Sequence, residues 1–402
     1  MGQLILTRGP HDRLRSGHPW IYRGEIADVR GAWVAGDVVE VLDAAGRLVG
    51  RGTYNPRTSL ACRLLTRRDE PVDAGFVAGR VMAALEYRRA GGLLADAFRL
   101  FWSEADGLPG LVVDCYGAVT VVQCLTLGIS RMLPWIAAAL AEARPGSRVY
   151  RWDDPTAARI EGFEPGRGWL DGAGTPEGPP EGPPESPDEV IIDEAGCRFA
   201  VAIGSGHKTG LYLDQRDTRV AVAAHAPGRR MLDAFCYTGG FACHALRAGA
   251  TGALLVDSSA DALAGARRNL TLNELAGRAE LREGNAFDEL RRLESRRERF
   301  GLAVLDPPPF TRRKDALDAA ARGYKEINLR ALRLLEPGGV LATFSCSHHV
   351  TPALFESICR EAAADAGVTV RVLATLSQGR DHPILLSVPE TRYLTGLSLQ
   401  AI

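Results

Sequence analysis

The first 70 residues alternate short apolar runs with polar breaks: Leu4-Ile5-Leu6, Val38-Val39-Glu40-Val41-Leu42, Leu48-Val49-Gly50 and Leu60-Ala61-Cys62-Arg63-Leu64-Leu65. With Asp43-Ala44-Ala45-Gly46 as a turn, this predicts a small β-rich barrel or sandwich. A 3.6-residue period then runs from about Phe76 to Ala90. Strand-like Phe98–Trp102, Gly110–Tyr116 and Val119–Gln123 follow, then a helix from about Ser130 to Ala143 and a strand at Val149–Trp152. This predicts a small α+β region. From Arg230 onward, strand candidates at Arg230–Phe235, Ala253–Asp257, Ala279–Glu283, Leu302–Asp306 and Val340–Ser345 are separated by helix-length intervals. That alternation predicts a doubly wound α/β sheet with ligands at the carboxyl ends of its strands. The domains expected are 1–72 (β-rich), 73–188 (α+β) and 189–402 (α/β).

Composition changes this picture little. A chain of 402 residues, 46% of them hydrophobic, is long enough for two or three buried cores. No run of about 18 apolar residues occurs, and the N-terminus lacks a basic stretch followed by an apolar one. The expectation is a cytoplasmic protein with no membrane partner. Eight cysteines lie scattered without CxxC spacing, so neither a metal site nor a disulfide framework is expected.

Charge is informative only by position. The net charge is −1, but residues 171–194 hold eight acidic side chains and no Lys or Arg, leaving about +7 on the remainder. The Pro, Gly and Glu-rich run 171–188 is too poor in apolar residues to pack, which predicts a mobile loop or hairpin extension. Residues 1–70 carry eleven Arg against eight Asp and Glu. There Arg13, Arg15 and Arg23 interleave with Trp20 and Tyr22, a pattern that suits RNA phosphates and stacked bases. A solvated face over core aromatics is the competing reading.

The run Asp233-Ala234-Phe235-Cys236-Tyr237-Thr238-Gly239-Gly240 places glycines where the first α/β strand turns into a helix, which lets main chain approach a ligand closely. It has neither the GxGxxG pattern nor a Walker lysine, which disfavours a pyrophosphate or triphosphate. A ligand with an amino-acid end and an adenosine end fits better. Asp233 suits an ammonium, and Asp257, ending the second strand, suits both ribose hydroxyls. S-adenosylmethionine is such a ligand. Asn285 either binds its adenine or caps a helix, and Phe287 either covers the ring or joins the core.

Asp306-Pro307-Pro308-Pro309-Phe310 follows an apolar strand, so it forms a loop at the same edge of the sheet. Prolines fix φ there, and Asp306 suits the ring nitrogen or amine of a planar heterocycle. Pro307, Pro308 and Phe310 are candidate substrate contacts. Many amino-group methyltransferases use a similar loop, so this motif leaves the methylated atom open. Cys346, in Ser345-Cys346-Ser347 at the end of the next strand, narrows it. A thiolate added to carbon 6 of a pyrimidine makes carbon 5 nucleophilic. Ser347, His348 and His349 stand beside it as candidates to assist the thiol. Cys236 is the rival nucleophile, but its place in the glycine loop favours packing or cofactor lining.

Across almost its whole length the chain resembles the bacterial family of large-subunit ribosomal RNA cytosine-5 methyltransferases that carry an N-terminal PUA domain. The resemblance rests on Gly17-His18-Pro19-Trp20, on the run from Gly206 to Arg216, and on Cys236-Tyr237-Thr238-Gly239-Gly240-Phe241. It rests further on Asp306-Pro307-Pro308, the run from Arg322 to Asn328, Phe344-Ser345-Cys346-Ser347 and Asp381-His382-Pro383. It implies a PUA barrel, a central α+β domain and a Rossmann-like class I methyltransferase domain, often as a homodimer, acting on large-subunit rRNA or a ribosome assembly intermediate. It further implies Cys346 as nucleophile, Asp306 as the residue orienting cytosine, and Gln215 and Arg216 beside the cofactor. Family members often carry Asp where this chain has Asn285, and Lys or Ala where it has Pro309. Two other functions fit the residues less well. One is a base-amino methyltransferase in which Cys346 only packs. The other is a non-catalytic RNA-binding assembly factor, against which the intact Cys346, Asp306, Asp233 and Asp257 argue.

Overall fold

A computed structural model describes residues 1–170, 189–204, 209–311, 314–347 and 349–402. The acidic run 171–188 lies outside the described residues, as do Gly206, His207, Lys208 and His348. The chain forms two compact units: Met1–Ile192 with Val201–Leu213 and Arg380–Thr391, and Asp193–Ala200 with Asp214–Gly379 and Arg392–Ile402. The expected β-rich and α+β segments thus share the first unit, together with the Arg380–Thr391 segment.

In the first unit, strands β1 (Gly2–Leu6), β2 (Trp20–Tyr22), β3 (Ile26–Arg30), β4 (Val38–Leu42), β5 (Leu48–Tyr54) and β6 (Leu60–Thr66) form one sheet. Their order is β2-β6-β5-β4-β1-β3, and a short helix α1 (Asp12–Arg15) connects the first two. Leu4, Leu6, Ile21, Val39, Val41 and Cys62 fill its interior, as the period-two pattern requires.

Helix α2 (Ala74–Ala90) follows, N-capped by Asp73, whose side chain accepts from Phe76 N. Strands β7 (Ala97–Trp102), β8 (Leu111–Tyr116) and β9 (Val119–Cys124) come next, with helices α3 (Leu127–Arg131) and α4 (Leu133–Ala143). Strand β10 (Arg148–Trp152), helix α5 (Pro155–Glu161) and strand β11 (Arg167–Leu170) complete a sheet ordered β11-β10-β9-β8-β7. The single helix expected from Ser130 to Ala143 is two, broken at Met132. Pro134 in the first turn of α4 has no N–H to continue α3 and instead starts a new helix.

A hairpin of β12 (Val190–Glu194) and β13 (Cys197–Val201) leads on along the chain. The second unit then alternates α6 (Arg216–Ala223), β14 (Arg230–Ala234), α7 (Gly240–Arg247), β15 (Gly252–Asp257), α8 (Ala260–Leu272) and β16 (Ala279–Glu283). It continues with α9 (Ala286–Ser295), β17 (Phe300–Leu305), α10 (Leu317–Leu334), β18 (Leu335–Ser345), α11 (Pro352–Ala366), β19 (Val370–Ser377) and β20 (Thr395–Ala401). The seven strands are ordered β16-β15-β14-β17-β18-β20-β19, the first five parallel and β20 antiparallel to both neighbours. Burial on both faces explains the continuous apolar runs of the central strands. Two expected strands end one residue early: Phe235 and Asp306 lie just past β14 and β17, in the loops. Strand order reverses between β14 and β17, which opens a ligand crevice at their carboxyl ends. Among the described residues, no helix is long and apolar enough to cross a membrane.

Candidate active site

Every parallel strand delivers a candidate residue to one edge of the sheet. Asp233 and the glycine loop end β14, Asp257 ends β15, Asn285 follows β16, Asp306 follows β17 and Cys346 follows β18. Residues 21 to 113 positions apart are juxtaposed because the strands run parallel and in register, with Asp233 beside Val304 and Ala234 beside Leu305.

The glycine loop is strained and heavily braced. Phe235 and Tyr237 adopt left-handed φ of 64° and 47° without being glycine, a conformation that costs on the order of 1–3 kcal/mol each and persists only where the surroundings impose it. Asp257 does much of the imposing, with one carboxylate oxygen accepting from Tyr237 N and the other from Ser259 N, each at 2.9 Å. Asn269 donates to Thr238 O at 2.9 Å. A Cβ at Gly239 (φ 75°) would meet Leu255 and Ala266 side chains at 3.1 and 3.2 Å, and one at Gly240 would meet Arg219 Cδ at 2.8 Å. Only glycines fit this close approach.

Beneath Gly240 lies a platform that sequence reading missed. Arg219 Nε and a terminal nitrogen donate to the two oxygens of Glu194 at 2.6 and 2.7 Å, and His244 Nε2 lies 3.0 Å from Glu194 Oε1. All three side chains are buried. Burial raises the Glu194 carboxyl, but Arg219 and His244 more than reverse this and hold it down at about 2. Glu194 closes a strand among polar neighbours, and nothing in that local pattern marks a buried ion pair. Replacing Arg219 by Met leaves Glu194 buried without its main partner. The expected cost is about 3–5 kcal/mol in chemical denaturation, with a lowered S-adenosylmethionine affinity as Gly240 loses its support.

Asp233 is fully buried. One carboxylate oxygen accepts from Ala242 N at 3.1 Å, while the other, Oδ1, has no hydrogen-bond partner. Burial, reinforced by the charges of Asp306 and Asp257, pushes the carboxyl up to about 8. A buried carboxylate with an unmatched oxygen at the mouth of a glycine loop is complementary to a cation carrying N–H donors. The ammonium of S-adenosylmethionine meets that description. Gln215 is also buried, its Oε1 engaged by Thr218 while its amide nitrogen stands unmatched. Arg216, next along, pairs with Asp217 at 3.4 Å. Asn285 caps α9, its Oδ1 accepting from Phe287 N at 2.9 Å, and its side chain is otherwise exposed. Phe287 packs against Phe235 and Phe310, with ring centroids 6.5 and 5.6 Å away.

Of the eight cysteines, seven are buried and Cys346 alone is partly exposed. Its Sγ lies 3.7 Å from Pro307 O, so the thiol and the Asp306–Phe310 loop face each other. Cys236 differs: burial, with Asp233 and Asp257 nearby, drives its thiol far above the ordinary range and disfavours a thiolate. Pro308 and Pro309 are exposed beside a partly exposed Asp306.

The candidate RNA contacts of the first unit are mostly engaged within it. Arg13 bonds Glu25 at 3.0 Å and lies over the Tyr22 ring, Arg23 bonds the carbonyls of Pro56 and Thr58, and Trp20 Nε1 donates to Glu104 at 2.8 Å. Arg15 is exposed. A separate cleft of about 570 Å³ is lined by Arg67, Arg68 and Arg80, which no carboxylate pairs among the described residues. Glu70 and Glu104 also line it, the first bonded by the Thr66 hydroxyl and the second by Trp20 and Ser103.

Comparison with known proteins agrees with this architecture. Residues 4–67 match the PUA-like domain family and residues 181–375 match the S-adenosylmethionine-dependent methyltransferase family. A ribosomal RNA large subunit methyltransferase I from Alteromonas mediterranea is 38% identical over 402 residues, covering 98% of each chain. Its namesake from Klebsiella pneumoniae strain 342 is 38% identical over 406 residues, covering 100% of this chain and 98% of its own. A SAM-dependent methyltransferase assignment attaches to a solved Streptococcus mutans protein, superposable with a TM-score of 0.82 at 18% identity over the full length of both chains. A further solved methyltransferase, in complex with SAH, gives 0.83 at the same identity and coverage. With its PUA-like domain, its S-adenosylmethionine-dependent methyltransferase domain and end-to-end similarity above 35%, the chain belongs to the ribosomal RNA large subunit methyltransferase I family.

Proposed function

We propose that the protein methylates carbon 5 of a cytosine in large-subunit ribosomal RNA, with Cys346 as the nucleophile and Asp306 orienting the base. The observation that carries this reading is the partly exposed Cys346 thiol facing the Asp306–Phe310 loop, 3.7 Å from Pro307 O. Asp233, the glycine loop, Asp257, Asn285 and Gln215 would hold S-adenosylmethionine, which supplies an electrophilic methyl group when bound. Asp306 and the Pro307 carbonyl hold the amidine edge of a cytosine flipped out of its stack. The Cys346 thiolate adds to carbon 6, its electron pair forming the C6–S bond while the C5=C6 π pair moves to carbon 5. Carbon 5 uses that pair to take the methyl group and then gives its proton to water. The electrons of that C–H bond restore C5=C6 as the C6–S bond breaks, returning the thiolate.

The test is transfer of labelled methyl from S-adenosylmethionine to protein-free large-subunit rRNA, read by nucleoside mass spectrometry. Label in 5-methylcytidine supports the proposal. Label in a base-amino product shifts the reaction to an exocyclic nitrogen, and no label on any RNA or assembly intermediate points to a binding role.

Grip on RNA is assigned to the first unit. Arg67, Arg68 and Arg80 line one cleft and no carboxylate pairs them among the described residues, Arg67 and Arg80 donating to the carbonyls of His18 and Leu65, so their charges remain able to exchange counterions for phosphates. Converting all three to Ala is expected to weaken RNA binding at low salt and to flatten the dependence of log affinity on log salt by about 2. Filter binding across a salt series reads both. In solution the protein is expected as a homodimer, which sedimentation equilibrium measures.

A further inference from the structure

We infer that Tyr324 positions the Cys346 thiol by tying the two loops of the reacting site together. The inference rests on the function proposed above and extends it to a residue that touches neither substrate nor cofactor. Tyr324 lies on α10, fully buried, and its hydroxyl lies 2.9 Å from Ser347 Oγ, next to the nucleophile. Its ring packs on Phe310, the last residue of the Asp306 loop, with centroids 4.5 Å apart. One side chain therefore spans from the loop after β17 to the loop after β18.

Tyr324 is itself well anchored. Asn328, one turn along α10 and fully buried, donates to Tyr324 O at 2.8 Å, and Phe355 meets the Tyr324 ring edge-on at 5.7 Å. The preceding Gly323 lets α10 approach the Asp306 loop, since a Cβ there would come within 3.2 Å of the Phe310 ring. The Cys346 turn is held by Ser347 N donating to Ser345 Oγ at 3.3 Å and by Val350 N donating to Ser347 O at 2.9 Å. The Ser347 hydroxyl links it to α10. Burial raises the Tyr324 phenol, so it stays protonated and able to hydrogen-bond. A nucleophile must sit within about 3–3.5 Å of its target carbon, and an error of about 1 Å costs on the order of a hundredfold in rate. A phenol that fixes the Cys346 turn relative to the base-holding loop acts on that distance.

The test compares Tyr324→Phe, Ser347→Ala and the double variant in the full-length protein. Each single variant is expected to lower kcat by roughly tenfold to a hundredfold, with KM for RNA and S-adenosylmethionine affinity within about twofold. The double variant should be no slower than Tyr324→Phe, since the Tyr324–Ser347 bond is already lost there. Iodoacetamide alkylation of Cys346, read by peptide mass spectrometry without RNA, should change in rate in both singles alike. A kcat within twofold of wild type in Tyr324→Phe would sink the inference, as would losses that multiply in the double variant. Should Tyr324→Phe fold poorly, Ser347→Ala with normal S-adenosylmethionine affinity decides by the same two readouts. If Cys346→Ala retains methyl transfer while alkylation of Cys346 still responds to Tyr324→Phe, the nucleophile assignment fails and the hold of Tyr324 on the thiol stands.

Discussion

Replacing Cys346 by Ala is expected to abolish methyl transfer to RNA, a loss on the order of a thousandfold or more, while S-adenosylmethionine binds within about twofold of wild type. Carbon 5 of cytosine is a poor nucleophile, and no positioning of the methyl donor compensates for the missing electron density. Cofactor binding survives because Cys346 follows β18, while the glycine loop follows β14, Asp257 ends β15 and Asn285 follows β16. Cys346→Ser should be equally inactive, since a hydroxyl at neutral pH is far less ionised than a thiol. Calorimetry for the cofactor and mass spectrometry for the nucleoside separate the two functions. Product formed at wild-type rate by Cys346→Ala would move the reaction away from carbon 5.

Binding of S-adenosylmethionine is expected to depend steeply on pH through Asp233. In the cofactor-free protein, burial first and the Asp306 and Asp257 charges next push this carboxyl up to about 8. Below that pH it is largely protonated, and pairing with the cofactor's ammonium requires the proton to leave. Log affinity should therefore rise by about one unit per pH unit toward pH 8. Above pH 8 the curve turns over, because the cofactor's own amino group, ordinarily titrating near about 8, loses its charge. Asp233→Asn should remove the rising limb and weaken binding at pH 8 by at least about tenfold.

The same shift has a consequence for stability. The folded carboxyl holds its proton up to about 8 and the unfolded one releases it near 3.8. Asp233 therefore contributes most stability below about pH 4, and that contribution is lost as pH rises through 8, a swing on the order of several kcal/mol. S-adenosylmethionine, by pairing with the carboxylate, should raise the melting temperature more at pH 8 than at pH 6. A pH-independent thermal shift would argue that Asp233 does not meet the cofactor cation.

Much of the architecture was legible because its signals are local. The strand and helix alternation of the second unit follows from apolar runs, and the glycine loop shows itself as Thr238-Gly239-Gly240 after a strand. Where local reading failed, a tertiary or stereochemical event intervened. One helix became α3 and α4 because Pro134 restarts the turn. For Arg13, Trp20 and Arg23, candidate RNA contacts in the sequence, the fold adds partners that the local pattern does not show: Glu25, Glu104 and the backbone carbonyls of Pro56 and Thr58. The Arg67, Arg68 and Arg80 cleft was not legible, since Arg67 and Arg80 are brought together by the packing of β6 near α2.

The sequence by itself determined the order of elements and the residue types that end each parallel strand, because strand propensity, glycine conformation and proline stereochemistry act over a few residues. Register decided the rest. Only the pairing of β14 with β17 and of β17 with β18 brings Asp233, Asp306 and Cys346 to one edge of the sheet. Only tertiary packing buries Asp233 with an unmatched oxygen, sets Arg219 and Glu194 beneath Gly240, and lets Tyr324 reach both Phe310 and Ser347. Those properties depend on desolvation and on contacts between residues tens to more than a hundred positions apart.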